Sequence, residues 1–261
     1  MNALSPFAYD HDGARLAGVT CGDPDAPVAA VVLHGAGRSD KERLLPLLGE
    51  FAARGGRGVA FDFAGHGESS GALRESSLRH RFEQAVAVID AQVPADRALV
   101  LAGFSMSGQT VADLAAHYGD RVRALALCAP AVYAAQAWEL PFGTGDGRFS
   151  AVIRRPGSWR GSPALDAFRA YRGRAVLAVP GTDAVIPPAV TEAVQDALSC
   201  RARYTRFELP GADHSLGLWF LGHGADRRAF VTAVLSDRGG EGAGGGPLSV
   251  GVGRMGCRAS S

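Results

Sequence analysis

A chain of 261 residues with no internal repeat has the length of one α/β domain carrying a small insertion. Its 47% hydrophobic and 20% charged residues supply a full core, and a formal net charge of +1 offers no electrostatic footprint for nucleic acid or an anionic membrane surface. No apolar run approaches the roughly 18 residues of a membrane-spanning helix.

The elements follow in chain order. Asp12-Gly13 is a hairpin signal between short runs at Phe7 to His11 and Ala14 to Thr20. Val28 to Leu33 is a continuous apolar run, the pattern of a strand buried on both faces. Ser39 and Glu42 have capping-box spacing, which predicts a helix from there to Gly55-Gly56. A strand over Gly58 to Phe61 precedes a helix whose apolar positions Leu78, Phe82, Val86 and Ile89 share a face. Ala98 to Ala102 reads as a strand, Ser107 to Tyr118 as a helix and Val122 to Cys128 as a strand. After residues 133–174 come a strand at Ala175 to Val179, a helix at Pro188 to Leu198, a strand at Tyr204 to Leu209 and a helix at Asp226 to Leu235.

Alternating strands and helices imply an α/β fold with a mostly parallel central sheet and helices on both faces. Residues 133–174 break the rhythm, being rich in Gly, Pro, Arg and aromatics with one helix-like piece at Ala164 to Tyr171, and are expected to form a small cap insertion in a domain spanning 1–237. From position 238 to 261 glycine dominates and no periodicity survives, so a disordered tail is expected there.

The motif with chemical content is Gly103-Phe104-Ser105-Met106-Ser107-Gly108, between a buried strand and a helix. A nucleophile standing clear of a sheet needs such a sharp turn with small residues around it. Ser107 departs from G-x-S-x-G but is also small, and Gly108 follows it. The alternative is an ordinary strand-to-helix turn.

Three further pieces accompany it: Leu33-His34-Gly35-Ala36-Gly37, Asp62-Phe63-Ala64-Gly65-His66-Gly67-Glu68-Ser69, and Gly211-Ala212-Asp213-His214. In order and spacing they resemble the oxyanion loop, the D-x-x-G-H-G-x-S loop and the histidine loop of the α/β-hydrolase superfamily, over roughly residues 7 to 236. The resemblance implies the α/β-hydrolase fold with Ser105 as nucleophile, His214 as base and Asp183 as the acid. It also implies an oxyanion hole from the N–H groups of Ala36 and Met106.

Asp183 lies in Gly181-Thr182-Asp183-Ala184-Val185-Ile186-Pro187, where the superfamily commonly carries its acid; a helix cap near Pro187 is the competing reading. Asp62 is the rival carboxylate, in a loop usually structural. His34 and His66 belong to structural loops, while His11, His80, His117 and His223 have no motif context. Asp213, beside the base, would raise the imidazole pKa if it stays close, or point to solvent. The insertion's Trp138, Phe142 and Trp159, with Arg148, Arg154, Arg155 and Arg160, would either wall a substrate site or form a solvated basic face over packed aromatics.

The expected reaction is hydrolysis of an ester or thioester of a small to medium acyl substrate through an acyl-enzyme. Acyl transfer, peptide cleavage and C–C bond hydrolysis use the same residues, and a non-catalytic ligand-binding member of the fold is the alternative from another class. No metal-ligand spacing such as H-E-x-x-H occurs, and Asp40 stands where a dinucleotide fingerprint begun at Gly35 needs glycine, so neither metal nor cofactor is expected. The expected partner is a small-molecule substrate. Residues 1–6 lack a basic n-region and an apolar stretch, and Cys21, Cys128, Cys200 and Cys257 form no C-x-x-C pair, so a cytoplasmic protein with reduced thiols is expected.

Overall fold

The computed structural model describes residues 3–143 and 147–236; the glycine-rich stretch 238–261, with Cys257, lies outside the described residues. The chain runs β1 (Ser5–His11), β2 (Ala14–Gly22), β3 (Val28–Leu33), α1 (Leu45–Ala52), β4 (Arg57–Phe61), α2 (Leu78–Gln92), β5 (Ala98–Phe104) and α3 (Ser107–Tyr118). It continues through β6 (Val122–Cys128), α4 (Arg148–Ile153), α5 (Pro163–Ala170), β7 (Arg174–Thr182), α6 (Pro188–Ser199), β8 (Arg203–Asp213), α7 (Leu216–Gly222) and α8 (Gly224–Leu235).

The eight strands form one sheet in the order β1-β2-β4-β3-β5-β6-β7-β8. β1 and β2 pair antiparallel, as the Asp12-Gly13 turn requires, and β2 pairs antiparallel with β4. From β4 to β8 every pairing is parallel. Strand residues alternate between two cores. Val31, Leu33, Leu99 and Leu101 face the side covered by α2, α3, α5 and α6, whereas Val32, Val100 and Ala102 face the side covered by α1, α7 and α8. Burial on both faces accounts for the continuous apolar runs. Among the described residues no helix is long and apolar enough to cross a membrane.

Three local features differ from the sequence expectation. The segment after Ser39 does not start a helix through a capping box. A 3-10 turn covers Glu42–Leu44, and α1 begins at Leu45 with Pro46 in its first turn. The competing interaction is at Lys41, whose N–H donates to Asp62 Oδ1 at 2.7 Å and whose Nζ donates to Asp62 Oδ2 at 2.8 Å. On α2 the buried face is rotated: Arg81, Gln84, Ala85 and Val88 are buried beside Leu78 and Ile89, and Phe82 and Val86 are only partly covered. Finally, α5 within 133–174 packs Ala164, Leu165 and Phe168 into the core. Full burial of a side chain the size of Phe168 stabilises by about 2–3 kcal/mol.

Candidate active site

The carboxyl ends of β3, β5, β7 and β8 lie along one edge of the sheet, where an open parallel sheet presents its ligand-binding crevice. Ser105 follows β5 with φ +49°, a left-handed conformation that costs a serine about 1–2 kcal/mol. The strained turn is tied down by its neighbours. Ser105 N–H donates to Cys128 O at 3.0 Å, and Ser105 O accepts from Gly108 N–H and Ala131 N–H, both at 2.8 Å. Two glycines are required for close approach. A Cβ at Gly103 would lie 2.6 Å from Val111 Cγ2 and 2.7 Å from Ser107 O. A Cβ at Gly108 would lie 2.9 Å from Ala131 O and collide with the Pro130 ring.

His214 follows β8. The β7–β8 register shifts between Pro180 and Thr182 and resumes as Thr182 opposite Asp213, which sets Asp183 and His214 side by side at the strand ends. His214 Nε2 lies 2.9 Å from Ser105 Oγ, and His214 Nδ1 lies 2.9 Å from Asp183 Oδ2. Because an ionised carboxylate only accepts, this pairing puts the proton on Nδ1 and leaves the Nε2 lone pair toward the serine. The second oxygen of Asp183, Oδ1, accepts from Val185 N–H at 2.8 Å and Ile186 N–H at 2.9 Å. That is a turn preceding α6, whose own cap is Pro187. Asp213 Oδ1 accepts from Ser215 N–H at 2.8 Å, so its carboxylate holds the turn into α7.

The loop after β3 sits against the serine. A Cβ on Gly35 would lie 3.2 Å from Ser105 Cβ. His34 is fully buried; its Nδ1 pairs with Gly35 O at 2.7 Å and its Nε2 accepts from Phe63 N–H at 3.1 Å. Burial, then the charge of nearby Arg81, pushes the His34 pKa well below the usual imidazole value, so the ring is neutral. Among the described residues no acceptor takes the N–H of Ala36 or of Met106.

Arg81 escaped the sequence reading. It is fully buried, its Nη2 donates to His34 O at 2.6 Å and to Ser107 Oγ at 2.9 Å, and its guanidinium lies 3.7 Å from the centre of the Phe63 ring. Ser107 Oγ also donates to His34 O at 2.6 Å. The serine that departs from G-x-S-x-G thus joins the turn bearing Ser105 to the loop bearing Ala36. Burial pulls the Arg81 pKa down to about 9. The only sequence signal was its position one turn after Leu78, which reads as ordinary polar surface.

Asp62 stands apart from this constellation. It is fully buried and engaged by Lys41, and its Oδ2 also accepts from Glu68 N–H at 3.0 Å. Burial opposes the Lys41 charge, but hydrogen bonds and charges from Asp62 and Glu68 outweigh it and raise the lysine pKa. His66 contacts Ala64 O and packs on His34, with ring centres 4.7 Å apart.

A cleft of about 150 Å³ opens at Ser105 and His214. Its lining includes Arg38 and Arg43 but no carboxylate. Arg43 lies 4.0 Å from Asp40, while Arg38 makes no ion pair among the described residues. The arginines of the insertion do not line it. Arg154, Arg155 and Arg160 are exposed, and Arg160 stacks over Trp159. Phe142 and Phe149 pack on one another 4.8 Å apart, in an apolar cluster with Met106. Among the described residues no cluster of His, Cys, Asp and Glu has the makings of a metal site.

The family model described as serine aminopeptidase, S33, matches residues 24–153. No curated protein matches the chain. Among solved structures, the thioesterase domain from the curacin biosynthetic pathway superposes with a TM-score of 0.66 at 17% identity, covering 88% of this chain and 100% of that one. Est1E from Butyrivibrio proteoclasticus, solved with ferulic acid, gives 0.64 at 17% identity, covering 88% of this chain and 99% of its own. The haloalkane dehalogenase DpaA from Paraglaciecola agarilytica gives 0.68 at 15% identity, covering 90% and 93%. At these identities the likeness is one of fold, and it agrees with the strand order and with the loops after β3, β4, β5 and β8. By matched family model, sheet topology and motif order together, the chain belongs to the α/β-hydrolase superfamily.

Proposed function

We propose that the protein is a serine hydrolase that cleaves an ester or thioester of a small to medium acyl group through an acyl-enzyme. The observation that carries this reading is the unbroken hydrogen-bonded chain from Ser105 Oγ through both nitrogens of His214 to Asp183, at 2.9 Å for each link. Ser105 Oγ attacks the carbonyl carbon while His214 Nε2 takes its proton. His214 then delivers that proton to the leaving group, and water repeats the sequence to release the acid. Asp183 holds the imidazole tautomer and faces the imidazolium that forms. The oxyanion falls to the N–H groups of Ala36 and Met106. Arg81, bonded to the carbonyl of His34, keeps that loop against the serine.

Arg38 and Arg43 in a cleft without a carboxylate favour a substrate with negative charge on its acyl or leaving group. The matched description of a serine aminopeptidase supports a second reading, peptide cleavage by the same residues. The test is labelling with a fluorophosphonate, followed by rates on p-nitrophenyl esters of rising acyl length and on aminoacyl p-nitroanilides. Labelling at Ser105 with ester turnover is expected. Labelling elsewhere overturns the assignment, and faster anilide turnover replaces the ester reading with the peptidase one.

A further inference from the structure

A second hollow, of about 320 Å³, lies under the insertion and shares no lining residue with the catalytic cleft. Its walls are Leu78 from α2, Gln109 and Asp113 from α3, Tyr133 and Trp138 from the segment after β6, and Pro163 at the start of α5. The volume is at the lower end of small-molecule sites, and the lining is mostly apolar and aromatic. Its one charged group is Asp113.

That carboxylate is placed with care. Gln109 Oε1 accepts from Tyr133 N–H at 3.0 Å and from Ser162 Oγ at 3.2 Å. With its oxygen committed to two donors, the amide presents Nε2 to Asp113, 3.0 Å from Oδ1 and 3.2 Å from Oδ2. Asp113 is therefore oriented by a neutral amide, and among the described residues no Lys, Arg or His pairs with it. A carboxylate in a mostly apolar hollow without a counter-ion is costly, and a cation entering the hollow removes that cost. Aromatic walls attract cations as well. Desolvation pushes the Asp113 pKa up to about 7, against the Gln109 hydrogen bond that lowers it.

The geometry points to a ligand site in this hollow for a small molecule bearing an organic ammonium group, with Asp113 as its counter-ion and Tyr133 and Trp138 around its apolar part. The site stands independently of the serine hydrolase reading.

The experiment is calorimetric titration of the full chain with benzylammonium at about pH 8, where both partners are charged, against benzyl alcohol as the neutral match. Saturable benzylammonium binding is expected, with Asp113→Asn weakening it by about tenfold or more, the loss of one charge-assisted contact. Benzyl alcohol should bind more weakly by a similar factor. Ser105→Ala should leave the affinity unchanged, which separates this hollow from the catalytic cleft. If Asp113→Asn folds poorly by circular dichroism, Ala135→Trp serves instead: Ala135 lines the hollow from an exposed position, so a bulky side chain there closes it without touching the core. Equal binding by wild type and the variant used, equal binding of the alcohol, or no saturable binding overturns the proposal.

Discussion

The two hollows differ in charge and in how each meets it. The cleft at Ser105 carries Arg38 and Arg43 and no carboxylate; the hollow under the insertion carries Asp113 and no cation. Between them runs an apolar cluster in which Met106 joins Ala36, of the cleft, to Leu78, Tyr133 and Trp138, of the hollow. Ser105 immediately precedes the N-cap of α3, and Asp113 lies on α3 eight residues further along the chain. The cleft is held by backbone geometry and long-range bonds between loops. In the hollow, Gln109 and Asp113 are four residues apart on one helix, a spacing that faces them toward each other, and Gln109 is also bonded to Tyr133 and Ser162 farther along the chain.

The largest effect should come from the cleft. Ser105→Ala is expected to abolish fluorophosphonate labelling and lower ester turnover by several orders of magnitude, as loss of a triad member does, while amine binding in the hollow persists. Loss of both functions together would merge the two hollows into one site.

Next in size is the contrast between two acids, Asp183 beside His214 and the fully buried Asp62. Asp183→Asn should lower kcat by about 10⁴ with folding intact, because the wrong imidazole tautomer is then favoured. Asp62→Asn breaks the buried pair with Lys41, whose loss typically costs ~3–5 kcal/mol. It should lower Tm by roughly 10 °C and affect kcat per folded molecule far less. Thermal denaturation beside rate measurements separates the outcomes, and the reverse pattern would make Asp62 the acid.

A smaller effect tests the sign of the cleft. Arg38→Ala should lower kcat/KM for an ester with a free carboxylate on its acyl group by about threefold to tenfold, the range of one charged contact. A neutral ester of equal length should be unaffected. Equal losses on both would show that Arg38 shapes the cleft without reading charge.

Much of this was legible in the sequence, and the limits have a physical pattern. Elements set by local periodicity matched the structure: β3, α3 and β6 have the bounds their apolar runs suggest. That Ser105, Asp183 and His214 follow strand ends was legible because their loops carry glycines close in sequence, and the structure brings the three side chains together. What escaped depends on partners far along the chain. Arg81 is buried by bonds to His34 and Ser107, 47 and 26 residues away. The helix expected after Ser39 gave way to Asp62, 21 residues past Lys41. The segment Leu216–Gly222 went unread as a helix because its glycines, Gly217 and Gly222, mark a turn in isolation; burial of Leu216 and Phe220 in the core overrides that local preference.

The smallest expected effect belongs to the hollow and follows from the sign of the Asp113 shift. The carboxyl titrates at about 7 in the folded chain against 3.8 for the free side chain. Between those values the native state holds a proton that the unfolded chain has released, so Asp113 contributes stability below the lower value that is lost as pH rises through the upper one. Among the described residues its side-chain hydrogen-bond partner is the Gln109 amide, which is neutral. Asp113→Asn removes the titration. Its Tm relative to wild type should therefore climb between about pH 4 and about pH 8 and level off on either side. Benzylammonium stabilises the charged carboxyl, so at about pH 8 it should raise the wild-type Tm and leave the variant where it was. A difference that stays flat across the whole range would mean that the carboxyl is solvated in the folded chain. The hollow would then lack the uncompensated charge that sets it apart from the cleft.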